Sequence, residues 1–332
     1  MPELKEATIL GAGSWGTALA IHLARCGRRV TLWVHDAARA AAMSAQRENS
    51  RYLPDHRLPD GVEVTADMAD ALEGARCVFL VVPSHHARDV LTQSRRHWPA
   101  GAPICSASKG IESDTLMRMS EVAREVLGPL PVASLSGPSF AREVADGHPT
   151  AVVVGSTDAV LAGRLQELVS GGVVRAYTNT DLIGVELGGA LKNVIAIGAG
   201  AAEGLGYGTN TIAALITRGL AEMSRLASAL GGEPETMAGL AGLGDLVLTC
   251  TGKLSRNRAL GADLARGTTL AAHLAGTPMV AEGVRTTVSA WSLARREGVA
   301  MPIVGQVHAL LHEGKPVKDA IGDLLRRQLT RE

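Results

Sequence analysis

The sequence predicts an α/β chain: a doubly wound sheet with its helices, followed by an all-α region. Three observations predict it. Short apolar runs alternate with helical spacing over residues 7–180. The first of these runs leads straight into a glycine-rich turn and a helix. After about residue 180 the strand pattern stops, and helices joined by glycine-rich turns take over. Two domains are therefore expected, 1–180 and 181–332, which suits a length of 332 residues at ~150 residues per domain.

Residues 7–10 read as the first strand. They are followed by GAGSWG and by a helix over 17–25. Gly11, Gly13 and Gly16 fit G-x-G-x-x-G. The first allows the tight turn, the second lets a pyrophosphate approach the backbone, and the third lets helix and strand pack. Free N–H groups at the helix start hold the phosphates. The motif follows a strand and opens a helix, which is the context a Rossmann-like dinucleotide site requires. A coincidental glycine-rich turn is the alternative.

Residues 29–34 (RVTLWV) are the second strand. A site for NAD usually places an acid at its end to bind the ribose hydroxyls. Here Asp36 falls one place late, while His35 and Arg39 suit a 2′-phosphate. The pattern favours NADP or dual use, unless all three are solvated surface groups. A helix over 38–46 and a loop carrying Tyr52, Pro54 and Pro59 come next. Residues 77–82 (CVFLVV) form an apolar run that suits a strand covered on both faces. Strands over 103–107 and 132–135 deliver Ser108-Lys109-Gly110 and Ser136-Gly137-Pro138-Ser139. Two more strands are expected over 150–154 and 173–177. Ligands of such sheets sit outside the carboxyl ends of the strands, where Lys109 and the Ser136 turn fall.

The helical region begins with DLIGVELGGALKNVIAIGAGAAEGLGYGTN, residues 181–210. Lys192 is its one cation. Gly188 and Gly189 lie one turn before it and Ile195 and Ala196 one turn after. That face has no bulk, so a ligand or another backbone can come close. Burial disfavours the charged form of lysine, which suits acid–base chemistry. A snorkelling lysine beside a packing seam is equally open. Helices are also expected over 211–230, 256–266, 284–296, 303–313 and 317–328.

Residues 239–251 (GLAGLGDLVLTCT) carry one carboxylate, Asp245, among apolar residues. Such a group is usually paired, and Lys192 is the expected partner. Ser255-Arg256-Asn257 opens a helix, a seat suited to phosphate. A serine N-cap with two solvated neighbours is the competing account. His308 and His312 lie four apart without the glutamate of H-E-x-x-H, and His85-His86 is a bare pair, so no metal site is expected.

Totals agree with a cytoplasmic location. Lys+Arg and Asp+Glu are both 33, which gives no footprint for nucleic acid or an anionic membrane. Four dispersed cysteines form no C-x-x-C pair, as expected in a reducing compartment. Aromatics are only 3%, so the core is aliphatic. The N-terminus shows no signal-peptide pattern, and no apolar run of membrane-span length is expected.

Taken together, the motifs resemble those of bacterial-type NAD(P)-dependent glycerol-3-phosphate dehydrogenase. The resemblance runs through GAGSWGTALA, VVPSH, ASKGIE, LSGPSFARE, GVELGGALKNVIAIGAG, TIAALITRGLAEMSRL, AGLGDLVLTCT, SRNR and AEGVRT. It implies a Rossmann-like domain plus an all-α C-terminal domain like that of 6-phosphogluconate dehydrogenase. It implies a catalytic role for Lys192, with Asp245 and Lys109 in support. Lys109, Gly137, Ser139, Lys192, Asp245, Ser255, Arg256 and Asn257 fall on the family's substrate positions, with Asn193 and Thr249 near the reaction centre. Gly11, Gly13, Ser14, Trp15, Gly16, His35, Lys109, Ala141, Arg256, Val280 and Glu282 fall on its cofactor positions, and Tyr52 borders them. The family reduces dihydroxyacetone phosphate to sn-glycerol 3-phosphate for phospholipid synthesis, in the cytosol, commonly as a dimer.

Two rivals compete. A β-hydroxyacid dehydrogenase shares the two-domain plan and a helical lysine, but places Asn four residues after it, where this chain has Ala196. A non-catalytic NAD(P)-sensing module would keep GAGSWG without needing Lys192, Asp245 and Arg256 together.

Overall fold

A computed structural model describes residues 5–276 and 281–326; Val280 and Gln328 lie outside the described residues. The strands are β1 (Glu6–Leu10), β2 (Arg29–Trp33), β3 (Glu48–Asn49), β4 (Leu53–Arg57), β5 (Val62–Thr65), β6 (Val78–Leu80), β7 (Ile104–Ser106), β8 (Val132–Ser136), β9 (Thr150–Gly155) and β10 (Val174–Asn179). Eight of them form one sheet in the order β10-β9-β8-β7-β6-β1-β2-β5. All pairings in it are parallel except β8 with β9, which is antiparallel.

Consecutive residues point to opposite faces of a strand, and both faces are apolar here. Ile9, Leu32 and Phe79 pack on one side with Leu19 and Leu23 of the Ser14–Arg25 helix. Leu10, Trp33 and Leu80 pack on the other with Leu91, Val122 and Val126. That two-sided burial is why the strands read as continuous apolar runs rather than as alternations.

The loop expected around Tyr52 contains more structure than its sequence suggests. β3 and β4 form an antiparallel hairpin, and β5 adds an edge strand beside β2. Pro54 sits within β4 of this two-stranded hairpin, where a proline is tolerated. Asn49 holds the hairpin to the glycine-rich turn, donating to the Ala12 carbonyl at 3.0 Å and to Thr17 Oγ1 at 2.8 Å.

The chain divides into two compact units. The first runs to Lys109 and resumes over Met117–Glu186; the second comprises Gly110–Leu116 and the chain from Leu187 onward. The long Leu182–Gly204 helix is followed by helices Thr209–Ala229, Pro234–Ala238, Asp245–Thr251, Arg256–Ala265, Leu270–Ala275, Glu282–Arg296, Pro302–His312 and Val317–Leu325. By length and composition alone, Leu182–Gly204 is apolar enough to cross a membrane, contrary to the expectation from sequence. Glu186 and Lys192 interrupt its apolar run. Its most apolar stretch is 89% buried inside the protein, as in a core helix.

Glycines set how closely these helices cross. A Cβ on Gly200 would lie 1.9 Å from the Arg258 carbonyl oxygen, and one on Gly261 2.0 Å from that of Ile197. Only bare backbone permits this approach. The seam brings the start of the Arg256–Ala265 helix against the helix that carries Lys192.

The four cysteines are unpaired thiols. Burial pushes Cys77 and Cys250 up to about 12, so neither is a thiolate nucleophile at neutral pH.

Candidate active site

The glycine-rich turn assigns each glycine a separate task. Gly11 has φ +119, and a Cβ there would lie 2.6 Å from the Val81 carbonyl oxygen. Gly16 has no room because a Cβ would stand 1.9 Å from the Gly11 carbonyl oxygen. Gly13 differs: its φ is −79 and a Cβ would meet nothing within 4 Å. Neither strain nor protein packing explains a glycine at 13, whereas the close approach of a phosphate does. Gly13 is also the N-cap of the Ser14–Arg25 helix, with no side-chain cap bond to its N–H groups. The turn therefore fits a dinucleotide pyrophosphate. Trp15 adds a buried indole Nε1 without a hydrogen-bond partner in the protein.

At the end of β2, the Asp36 carboxylate accepts the Arg39 backbone N–H at 2.9 Å and caps the Ala37–Gln46 helix. This local bond, aided by the charge of Arg39 and opposed by desolvation, lowers the Asp36 pKa. His35 is exposed. The guanidinium carbons of Arg39 and Arg51 lie 5.0 and 5.4 Å from the Tyr52 ring centroid, within cation–π range. Tyr52 thus belongs to a basic, aromatic cluster, and Arg51 is a member that sequence reasoning missed.

Three of the expected residues meet beyond β7 and β8. The Lys109 ammonium donates to the Gly137 carbonyl at 3.1 Å, and Ser139 Oγ donates to the same oxygen at 3.0 Å. Gly137 has φ +117, and a Cβ would lie 3.0 Å from Val152 Cα. Ala141 opens the short Ala141–Asp146 helix.

The second unit holds the other cluster. Lys192 is buried, at 7% exposure, and its ammonium donates to Asp245, itself only 1% exposed. The pairing expected from sequence is thus present. Thr249, one turn after Asp245, donates to the Asp245 carbonyl at 2.6 Å and lies 3.4 Å from its Oδ1. Asp245 follows a π-type turn in which the Gly244 N–H reaches the Gly239 carbonyl at 3.1 Å. Such turns interrupt helices where geometry is being adjusted. Of the two uses open for the bare face before Lys192, Gly188 serves backbone: a Cβ would lie 2.5 Å from the Ala241 carbonyl oxygen. That crossing places the π-type turn, and hence Asp245, against the Lys192 helix.

Ser255 caps its helix, accepting the Arg258 N–H at 3.2 Å. The capping alternative is therefore realised for Ser255, although its hydroxyl proton is not consumed by that bond. Asn257 is buried and donates to Asn193 Oδ1 at 2.9 Å, while its own Oδ1 accepts the Gly283 N–H at 3.1 Å. Arg256 is exposed to solvent, yet surrounding protein lowers its pKa through desolvation, opposed by the charge of Glu282. The guanidinium stays charged, because arginine does not deprotonate in proteins.

Among the described residues no cluster of three or more His, Cys, Asp or Glu side chains is arranged to hold a metal. His308 bonds Glu313 at 2.9 Å and His312 the Val284 carbonyl at 3.2 Å.

Known proteins resemble this chain along its length. Residues 6–162 match the family described as NAD-dependent glycerol-3-phosphate dehydrogenase N-terminus, and residues 181–322 its C-terminus counterpart. The chain is 51% identical over 331 residues to glycerol-3-phosphate dehydrogenase [NAD(P)+] of Geobacter sp. (strain M21), covering 99% of both chains. It is 52% identical over 327 residues to the protein of that name from Geobacter sulfurreducens, covering 98% of each. The crystal structure of glycerol-3-phosphate dehydrogenase from Coxiella burnetii superposes with a TM-score of 0.95 at 42% identity, covering 98% of this chain and 100% of that one. On both sequence and fold, the chain belongs to the NAD-dependent glycerol-3-phosphate dehydrogenase family.

Proposed function

We propose that this protein reduces dihydroxyacetone phosphate to sn-glycerol 3-phosphate with NAD(P)H, reversibly. The observation that carries this reading is the buried Lys192–Asp245 pair, linked through Asn193 and Asn257 to the helix start that bears Arg256. A bound nicotinamide supplies the hydride. Gly13 and the N–H groups of the helix start hold its pyrophosphate, with Gly11 and Gly16 shaping the turn and Ser14 and Trp15 beside it. His35 and Arg39 would face a 2′-phosphate of the cofactor, with Tyr52 at its border. Lys109, Ala141, Arg256 and Glu282 complete the cofactor set, together with Val280.

As hydride reaches the carbonyl carbon, the carbonyl oxygen gains negative charge. The Lys192 ammonium donates its proton to that oxygen and is left as the amine, which water reprotonates. In the oxidative direction the amine takes the hydroxyl proton. Asp245 aims the ammonium and keeps part of the lysine charged, while Thr249 holds Asp245. Lys109, with Gly137 and Ser139, lends electrostatic support to the substrate oxygens. Arg256, with Ser255, fixes the phosphate so that the carbonyl is held for attack. Ala196, where a β-hydroxyacid dehydrogenase would carry Asn, is a fully buried methyl at 0% exposure. That disfavours the nearest enzymatic rival.

His35 and Arg39, with Arg51 beside Tyr52, favour NADP, with NAD also accepted. The protein works as a cytoplasmic homodimer and supplies phospholipid synthesis.

The test is an absorbance assay at the reduced-nicotinamide band, with protein, dihydroxyacetone phosphate and either NADPH or NADH. Oxidation of both, faster with NADPH, is expected. No oxidation with either refutes the activity, and a clear preference for NADH refutes the assignment of the basic cluster.

A further inference from the structure

The glycine-rich turn is held from outside by one side chain. Asn49, in β3, is 1% exposed. Its amide nitrogen donates to the Ala12 carbonyl at 3.0 Å and to Thr17 Oγ1 at 2.8 Å. Thr17 Oγ1 donates in turn to the Gly13 carbonyl at 2.8 Å. Asn49 therefore grips Ala12 directly and Gly13 through one hydroxyl. Those two residues link Gly11 to the helix start at Ser14. The Asn49 backbone reaches the other way, its carbonyl accepting the Tyr52 N–H at 3.2 Å. One residue thus ties the turn to the hairpin that carries Arg51 and Tyr52 at its tip.

The Asn49 amide can sit only one way round. The Ala12 carbonyl cannot donate, and Thr17 already gives its proton to Gly13, so both contacts need the nitrogen. That leaves Asn49 Oδ1 buried and, among the described residues, without a hydrogen-bond partner. A buried acceptor left unmet destabilises the fold. The arrangement gives up one acceptor in order to place two donors on the turn, and departures of this kind gather at functional sites. Gly13 has nothing packed within 4 Å of its Cβ position, and glycine has the most backbone freedom to lose. A turn built on glycines needs an external restraint if its N–H groups are to stay aimed.

We propose that Asn49 is a positioning residue for the nicotinamide cofactor. By holding Ala12 and, through Thr17, Gly13, it keeps the N–H groups of the turn directed at the pyrophosphate. It acts through the turn and not by touching the cofactor. This rests on the reading of the turn as the pyrophosphate seat.

The experiment measures Kd for NADPH by fluorescence titration on the full-length enzyme, with kcat, KM for dihydroxyacetone phosphate and melting temperature alongside. Asn49→Ala raises Kd for NADPH about tenfold, the equivalent of ~1.4 kcal/mol. At saturating NADPH, kcat and KM for dihydroxyacetone phosphate stay within about twofold of wild type, as for lost binding that does not reach the chemistry. Thr17→Val removes the hydroxyl and raises Kd in the same direction, whereas Thr17→Ser keeps the hydroxyl and keeps the wild-type Kd. The double variant of Asn49→Ala and Thr17→Val raises Kd by less than the product of the two, because both break one chain of bonds. Should Asn49→Ala fail to fold, the contrast between Thr17→Val and Thr17→Ser carries the same test.

An unchanged Kd in Asn49→Ala, with or without a lowered melting temperature, would make Asn49 a structural pin only and overturn the proposal. An unchanged Kd in Thr17→Val, or effects that multiply in the double variant, would overturn the route to Gly13. Gly13→Ala is the control on the turn itself. An unchanged Kd there would overturn the pyrophosphate seat, and the proposal with it, whatever Asn49→Ala does.

Discussion

The two units build their binding features from opposite materials. In the first, the glycine-rich turn is backbone: N–H groups, a positive φ at Gly11 and an absent side chain at Gly13. In the second, the working parts are side chains, a buried lysine and aspartate backed by threonine and two asparagines. Glycine is abundant in both but serves differently. At Gly13 it leaves open space at the helix start. At Gly188, Gly200 and Gly261 it lets one helix backbone lie on another. A backbone-built site survives side-chain drift but not a single Cβ in the wrong place. A side-chain-built site loses its chemistry with one truncation.

The largest effect sharpens that contrast in the side-chain site. Lys192→Ala should lower kcat by ~10²–10⁴, the range for a lost general acid, while the affinity for NADPH, measured by fluorescence titration, changes little. Removing the amine also leaves Asp245 buried at 1% exposure without its ammonium, so a drop in melting temperature accompanies the kinetic loss. Near-full turnover in this variant would remove lysine from the chemistry.

The next effect lies within the backbone site, between two glycines three residues apart. Gly16→Ala forces a Cβ to 1.9 Å from a backbone oxygen, so the turn must deform; both melting temperature and NADPH affinity should fall. Gly13→Ala meets nothing in the protein, so its unfolding free energy should stay within about 0.5 kcal/mol of wild type, as for a benign surface change. Its Kd for NADPH should still rise by roughly tenfold or more, the equivalent of ~1.4 kcal/mol. Equal affinity in Gly13→Ala and wild type would mean that the open space at 13 is not where phosphate lies.

The sequence was legible where a local pattern carries the physics. G-x-G-x-x-G between a strand and a helix marked the nucleotide turn, and a lone carboxylate in GLAGLGDLVLTCT called for the lone cation in the 181–210 run. It was less legible where meaning depends on long-range approach. Gly188 looked as ready for a ligand as for a backbone, and only the Ala241 carbonyl decides between them. Ser255 and Asn257 read as phosphate ligands because their types suit phosphate. The same types also suit a cap and an amide bridge, bonds that both residues make within the protein and that do not bear on a phosphate role. The β3–β4 hairpin and Asn49 left no periodic trace, being too short for one. Glu222 is another such case: a carboxylate 1% exposed that accepts the Ile303 N–H at 2.7 Å and the Val304 N–H at 3.2 Å, capping a helix 81 residues away in sequence. No spacing rule would have found it.

The smallest effect compares the buried bases of the two units. Lys192 is buried against a carboxylate, whereas His22, 4% exposed, has its Nε2 2.7 Å from the Val169 carbonyl. Desolvation lowers the His22 pKa below 6.5; the Val169 bond opposes this and Arg25 adds to it. The lowering sets the sign of the pH dependence. Above the unfolded value neither state carries the proton, and the contribution to stability is whole. As pH falls below about 6.5 the unfolded chain takes up a proton that the folded chain resists, and stability drains away down to the folded pKa. His22→Asn cannot titrate. Its melting temperature should therefore start lower at pH 7.5, by ~2–4 °C for a lost hydrogen bond of ~1 kcal/mol, and the gap to wild type should narrow at pH 5.5. Comparing the two proteins cancels the other histidines, including His312, whose pKa is lowered as well. A gap that stays constant across this range would mean that His22 keeps its proton equilibrium on folding, and that its burial does not select the neutral form.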